Sequence, residues 1–179
     1  AVSNCTAALH LSLKALGIKG HDEVIIPDLT FVADASAILA CNAKPVIADI
    51  NENDFFLSIS NLKKNITKRT KAIIPVHIYG QVCNIDEVLD VARDNDLKII
   101  EDCAHAIGTF HNSKHVGTLG DTGCFSFYPT KNITTAEGGM VITNSKKIAE
   151  KVRRLRSHGI SKSLKSRYSS GYPWVFDIS

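Results

Sequence analysis

Four short apolar runs recur along the first hundred residues: VIIP (24–27), VIA (46–48), AIIPV (72–76) and KIIE (98–101). Each is too short for a core helix and is bounded by turn or polar residues, and stretches of helical composition separate them. The runs are apolar at consecutive positions, not alternating ones, so each predicts a strand covered on both faces. A strand of that kind reaches a parallel neighbour only through a crossover, and the helical stretches supply it. The pattern therefore predicts an α/β fold built on a mainly parallel sheet with helices on both faces.

The local signals agree with that reading. Ser3 or Asn4 can cap a helix carrying Ala8, Leu9, Leu11, Leu13 and Leu16, which Gly17 ends. EVIIP is a strand closed by Pro27, 30–39 is helical, and Asn42 closes it ahead of the strand KPVIAD. Ser58 or Ser60 opens a short helix, and the strand KAIIPV, a helix over 85–93 and the strand LKIIED follow. Beyond Asp102 the pattern loosens into two further strands, GCFSFYP and GGMVITN. Then KKIAEKVRRLR sets Ile148, Val152 and Leu155 at helical spacing. Residues 160–179, rich in Ser, Gly and Lys, read as a loop or linker.

With 179 residues, 44% of them hydrophobic and 22% charged, the chain can bury one domain's core and is not disordered. No apolar run approaches the ~20 residues of a membrane-spanning helix, and AVSNCTAALH carries no secretory signal pattern. The five cysteines (Cys5, Cys41, Cys83, Cys103, Cys124) are odd in number and contain no C-x-x-C pair, which reads as buried reduced thiols in a cytoplasmic protein. The N-x-T triplets at Asn4, Asn65 and Asn132 are then chance matches. Residues 146–179 hold nine Lys/Arg against two acids, but the basic helix within them reads as a solvated face, so no nucleic-acid partner is expected. His111 and His115 have helical metal-ligand spacing, yet Asn112-Ser113 predicts a turn between them, so no metal is expected.

The polar residues at strand ends are the candidates for chemistry, because ligands on open parallel sheets bind there. Asp102 ends an apolar strand and must be solvated, paired or used as a cap, and His105 follows it. Lys131 follows SFYPT, where it is either a loop lysine or a desolvated amine that attacks carbonyl groups. Ser3 to Thr6, leading into Ala7 and Ala8, form either a plain N-cap or a phosphate cradle, to which Ser126 could add a hydroxyl. Glu137-Gly138-Gly139 brings a glycine pair that permits close backbone approach. Together, a cradle, a strand-end carboxylate, a lysine and an aromatic such as Phe31 to stack on a ring are what pyridoxal 5'-phosphate requires.

These stretches place the chain in a recognisable company. SNCTAALHLSLKALGI, DEVIIPDLTFVA, KPVIADI, TKAIIPVHIYGQ, IIEDCAHAIGT, GDTGCFSFYPTKNITTAEGGMVIT and RSHG strongly resemble the DegT/DnrJ/EryC1/StrS family of sugar aminotransferases, in the family's order. The resemblance implies the large domain of a fold type I pyridoxal-phosphate enzyme over 1–159. It further implies that 160–179 leads to a smaller C-terminal domain beyond this chain. It implies Lys131 as the Schiff-base lysine, Asp102 as partner of the pyridine nitrogen, His105 beside the ring and Phe31 stacked on it. Thr6 and Ser126, with the helix start at Ala7, match phosphate contacts, whereas Cys5 stands where many relatives carry Gly or Ala.

The implied activity is transfer of an amino group from glutamate to a keto-deoxy nucleotide-sugar, in a homodimer when full length. Tyr79, Glu137 and His158 are the substrate candidates. Because a dehydrating branch of the family replaces the lysine with histidine, Lys131 favours transamination over sugar dehydration. A shortened, non-catalytic cofactor-binding or regulatory module is the other reading. The chain starts at a helix cap and stops on the apolar run after Trp174, which leads us to expect a larger parent protein.

Overall fold

The computed structural model describes residues 1–160; apart from Ile160, the stretch read as a linker lies outside them. Eight strands and five α-helices follow one another as α1 (Cys5–Leu16), β1 (Glu23–Pro27), α2 (Ala33–Ala40), β2 (Lys44–Ala48), α3 (Ile59–Asn65), β3 (Thr70–Ile73), α4 (Ile85–Asp94), β4 (Lys98–Asp102), β5 (Phe110–His111), β6 (Lys114–His115), β7 (Thr122–Ser126), β8 (Gly139–Ile142) and α5 (Lys146–Leu155). Six strands form one sheet in the order β2-β1-β3-β4-β7-β8. All neighbours in it are parallel except β8, which runs antiparallel to β7.

Side chains alternate across the sheet, and this alternation builds two cores from the same strands. Val24, Ile26, Ala72, Ile74, Ile100 and Cys124 point to the face covered by α1 and α2, where they meet Leu9, Leu13, Ala37 and Ile38. Ile25, Ile73 and Ile99 point the other way and meet Leu62 of α3 and Val88, Val91 and Ala92 of α4. The two-sided cover predicted from the apolar runs holds for β1, β3 and β4. It fails for β2, an edge strand whose Ile47 remains 60% exposed.

Helix boundaries follow local chemistry. Asn4, not Ser3, caps α1: its Oδ1 accepts the Ala7 N–H at 2.8 Å. Gly17 ends the helix at φ 89°, a conformation that favours glycine. Ser58 caps α3 through the Asn61 N–H. Helix α2 starts at Ala33, later than its composition suggests, because Thr30 and Phe31 stay in the preceding loop. Val152 is the buried contact of α5, and Lys151 Nζ donates to Ala15 O at 3.0 Å, so α5 packs on α1 with its other charges outward. All five cysteines are buried and free.

The turn predicted at Asn112-Ser113 is the tip of a small hairpin, β5–β6, whose two-residue strands were not anticipated from sequence. Asn112 and Ser113 turn it with positive φ, and its histidines serve different neighbours. His111 Nε2 meets the Asp86 carboxylate at 2.9 Å, whereas His115 Nε2 accepts the Gly108 N–H at 3.0 Å.

At β4, consecutive carboxylates leave opposite faces of the sheet. Glu101 is fully buried away from α1. Its Oε1 accepts the N–H groups of Leu119 (2.8 Å) and Gly120 (2.7 Å), and its Oε2 accepts Gly117 N–H at 2.7 Å and meets His77 Nε2 at 3.0 Å. His77 Nδ1 accepts the Cys83 N–H, which leaves Nε2 to carry the proton toward Glu101. Glu101→Gln turns one acceptor oxygen into a donor facing an N–H. It is expected to destabilise the protein by about 1–3 kcal/mol, read as a lowered midpoint in chemical denaturation.

Candidate functional site

Glycine at position 139 decides where α1 begins. Val2 and Gly139 exchange backbone hydrogen bonds at 2.8 and 2.9 Å, which pins the first residues to β8. A Cβ on Gly139 would lie 2.4 Å from the Asn4 carbonyl carbon, so only glycine lets the helix start settle against the sheet. Gly139 thus admits the chain's own backbone, and Gly138 the Thr135 side chain, where the sequence suggested close backbone approach to a ligand. Seated this way, α1 directs its N-terminus toward the C-terminal ends of β4 and β7. With Ala7 N–H taken by Asn4, the earlier N–H groups of Cys5 and Thr6 remain as the free donors of the helix start.

A cavity of about 680 Å³ opens there, lined by Thr6 from α1, Thr30 and Phe31 before α2, Tyr79, Asp102 and His105 around the end of β4, and Ser126, Lys131 and Glu137 from the β7–β8 region. Seven strand-end and loop candidates from the sequence, Phe31, Tyr79, Asp102, His105, Ser126, Lys131 and Glu137, therefore share one space with Thr6 of α1. Ala7 does not line it. His158 lies on the exposed turn after α5 and is also outside the lining. Leu29, Thr30 and Tyr128 line the cavity and were not anticipated; their place beside Phe31 and Lys131 in the sequence was the available signal.

The floor of the cavity is dry and the mouth is apolar. Asp102 is 5% exposed, and its Oδ1 accepts the Ala104 N–H at 2.8 Å. Burial raises its carboxyl above the usual range, while that hydrogen bond and the charges of His105 and Lys131 pull it back. His105 is pushed below the usual imidazole range by burial and then by the Lys131 cation. Its ring stacks on Tyr79, with centroids 5.5 Å apart and planes at 18°. Tyr79 holds a left-handed backbone conformation (φ 52°, ψ 33°), and the following Gly80 O is tied down by the Thr109 hydroxyl at 3.0 Å. Phe31 is 73% exposed, a large apolar ring left open at the mouth.

Glu101, His77 and Cys103 bring potential metal ligand atoms within 4.8 Å of one another on the far side of β4. The Glu101 oxygens and both His77 nitrogens are already engaged by the contacts described above, and the Cys103 thiol reaches Glu101 O at 3.7 Å. This cluster is a structural knot.

Comparisons with known proteins show what the chain is similar to. The model of the DegT/DnrJ/EryC1/StrS aminotransferase family matches residues 1–173. Spore coat polysaccharide biosynthesis protein SpsC of Bacillus subtilis is 46% identical over 99% of this chain and 46% of its own length. The GDP-perosamine synthase of Vibrio cholerae is 49% identical over 89% of this chain and 43% of its own. Among solved structures, the PMP-form of the putative sugar aminotransferase Spr1654 from Streptococcus pneumoniae superposes with a TM-score of 0.89 at 32% identity, covering 99% of this chain and 49% of that one. The chain spans less than half the length of these relatives.

Because burial raises the Asp102 carboxyl, the ligand-free fold loses stability as pH rises from the ordinary carboxylate range through the raised value. Asp102→Asn removes that penalty. Its expected signature is a higher melting temperature near neutral pH and a flatter pH dependence, measured calorimetrically without ligand.

Proposed function

The chain belongs to the DegT/DnrJ/EryC1/StrS aminotransferase family, and from that premise we propose that the protein is a pyridoxal-phosphate-dependent aminotransferase that moves an amino group from glutamate to a keto-deoxy nucleotide-sugar. The observation that carries this reading is the single cavity shared by a lysine, a buried strand-end carboxylate, an open aromatic ring and a helix start. Those groups fit the cofactor's chemistry point by point. Free N–H groups at the helix start, with the Thr6 and Ser126 hydroxyls, suit a phosphate dianion. A desolvated carboxylate suits a cationic ring nitrogen, and an exposed phenyl ring suits a flat heteroaromatic.

When bound, pyridoxal phosphate supplies an aldehyde for amine exchange and an electron-withdrawing ring. Lys131 Nζ would hold the aldehyde carbon and, once released by the incoming amine, would take and return the proton at the substrate carbon. Asp102 would keep the ring nitrogen protonated. Phe31 would cover one ring face and exclude water, and His105 would stand beside the ring, oriented by Tyr79. Tyr79 and Glu137, at the cavity wall, are the candidates to meet the sugar; His158 lies away from the cavity and has no part in this reading.

The apolar mouth, where Phe31 and Tyr128 are exposed, supports a homodimer in which a partner subunit covers the opening. The five free, buried thiols support a cytoplasmic location, and no helix among the described residues is long and apolar enough to cross a membrane.

The test is spectroscopic. The protein mixed with pyridoxal phosphate is expected to show a visible absorption band that glutamate bleaches, and borohydride reduction is expected to fix the cofactor's mass on Lys131. Lys131→Ala should lose that covalent mark and at least about 10²–10⁴-fold of turnover, the usual contribution of a positioned acid–base group. A band that glutamate leaves unchanged would overturn the transaminase reading.

A further inference from the structure

Asp102 is not the only carboxyl buried beneath the cavity. Asp34, in the first turn of α2, is fully buried, and its chain neighbours Thr30, Phe31 and Ala33 all line the cavity. One of its oxygens, Oδ2, lies 2.5 Å from the Thr30 hydroxyl. The other, Oδ1, has no hydrogen-bond partner. No lysine or arginine among the described residues pairs with it. The titratable groups near enough to act on it electrostatically are Asp102 at the end of β4 and the thiols of Cys5 on α1 and Cys124 on β7, both of which burial keeps un-ionised.

The two carboxyls are unequally provided for. Asp102 has a backbone N–H on Oδ1 and feels the positive charge of Lys131. Asp34 has one neutral hydroxyl and an orphaned oxygen. Two carboxylates sharing a desolvated site cannot both ionise cheaply, and the proton stays on the one with the poorer compensation.

We propose that Asp34 is a positioning residue of the cofactor site: it retains its proton, so that the cavity floor carries one negative charge, on Asp102, opposite the cationic ring nitrogen of the bound cofactor. As a neutral acid, Asp34 can donate to Thr30 Oγ1, which frees the Thr30 hydroxyl proton to point into the cavity. Were Asp34 ionised, its charge would drive a proton onto Asp102 and weaken that group's hold on a cation. Burial and the nearby Asp102 charge both raise the Asp34 carboxyl, which agrees in direction.

The proposal rests on the reading of Asp102 as partner of the ring nitrogen, and the test keeps the two apart. In the ligand-free full-length protein labelled with ¹³C-carboxyl aspartate, one aspartate is expected to remain protonated at neutral pH. Its signal should vanish in Asp34→Asn, or in Asp34→Ser if the amide variant folds poorly, and should persist in Asp102→Asn. Absence of a protonated aspartate, or its persistence without Asp34, would overturn the proposal.

Calorimetric titration with pyridoxamine phosphate supplies the second readout. Asp34→Asn should bind as the unsubstituted protein does at neutral pH and keep its affinity at alkaline pH, where the unsubstituted protein weakens. Asp102→Asn should lose about tenfold or more, the scale of one charge-assisted contact. If Asp34→Asn weakens binding at neutral pH as much as Asp102→Asn does, Asp34 acts as an anion and the proposal fails while the reading of Asp102 stands. If neither substitution changes binding, that reading falls and takes the proposal with it.

Discussion

The Glu101 carboxylate organises the end of the sheet where the site lies. Three backbone N–H groups and one imidazole converge on its two oxygens, all away from water. Those partners come from two segments, the loop after β3 through His77 and the turn before β7 through Gly117, Leu119 and Gly120, and the carboxylate ties both to β4. A buried carboxylate with this many donors fixes the geometry of everything bonded to it. Gly123 reinforces the effect, since any side chain there would collide with the Gly117 backbone. The consequence reaches the opposite face of the sheet, because the residue after Glu101 is Asp102. Its direction is set by a strand whose other face cannot shift.

The same alternation explains how much of the molecule was legible in its sequence. Strand runs such as EVIIP and LKIIED carry their own boundaries, because consecutive apolar residues serve two cores at once. The cap at Asn4 and the stop at Gly17 were equally local. The exposure of β2 was not legible, since edge and central strands share a composition and differ only in how many neighbours pair with them. The strands β5 and β6 were also missed, although the turn between them was read: two residues per strand leave no periodicity to detect.

The candidate site divides along a similar line. Residues that stand out chemically at strand ends, such as Asp102 and Lys131, were readable because a charge after an apolar run demands an explanation. Residues that serve those groups were not. Glu101 was overshadowed by its neighbour, although two acids in succession at the end of a strand both have to be satisfied. Asp34 shares a helix face with Ile38 four positions on, a misplaced charge on an apolar stripe that the sequence displayed openly. Ala7 and His158, both candidates from the sequence, do not line the cavity. Proximity in the chain to a motif does not by itself place a residue in the space the motif encloses: the Ala7 N–H is bonded to Asn4, and His158 stands on the exposed turn after α5.

The pairing of Val2 with Gly139 has a temporal meaning as well as a spatial one. It joins the segment ahead of α1 to the last strand of the sheet, a contact of high sequence separation whose loop-closure cost must be met before it forms. During synthesis, the donors at the start of α1 therefore exist long before they face the cavity. A nascent chain cannot seat that helix start against β8 until β8 has left the ribosome. From that moment, anything bound in the cavity acts as a clasp between α1 and the β7–β8 region, and its binding energy counts toward the stability of the whole fold.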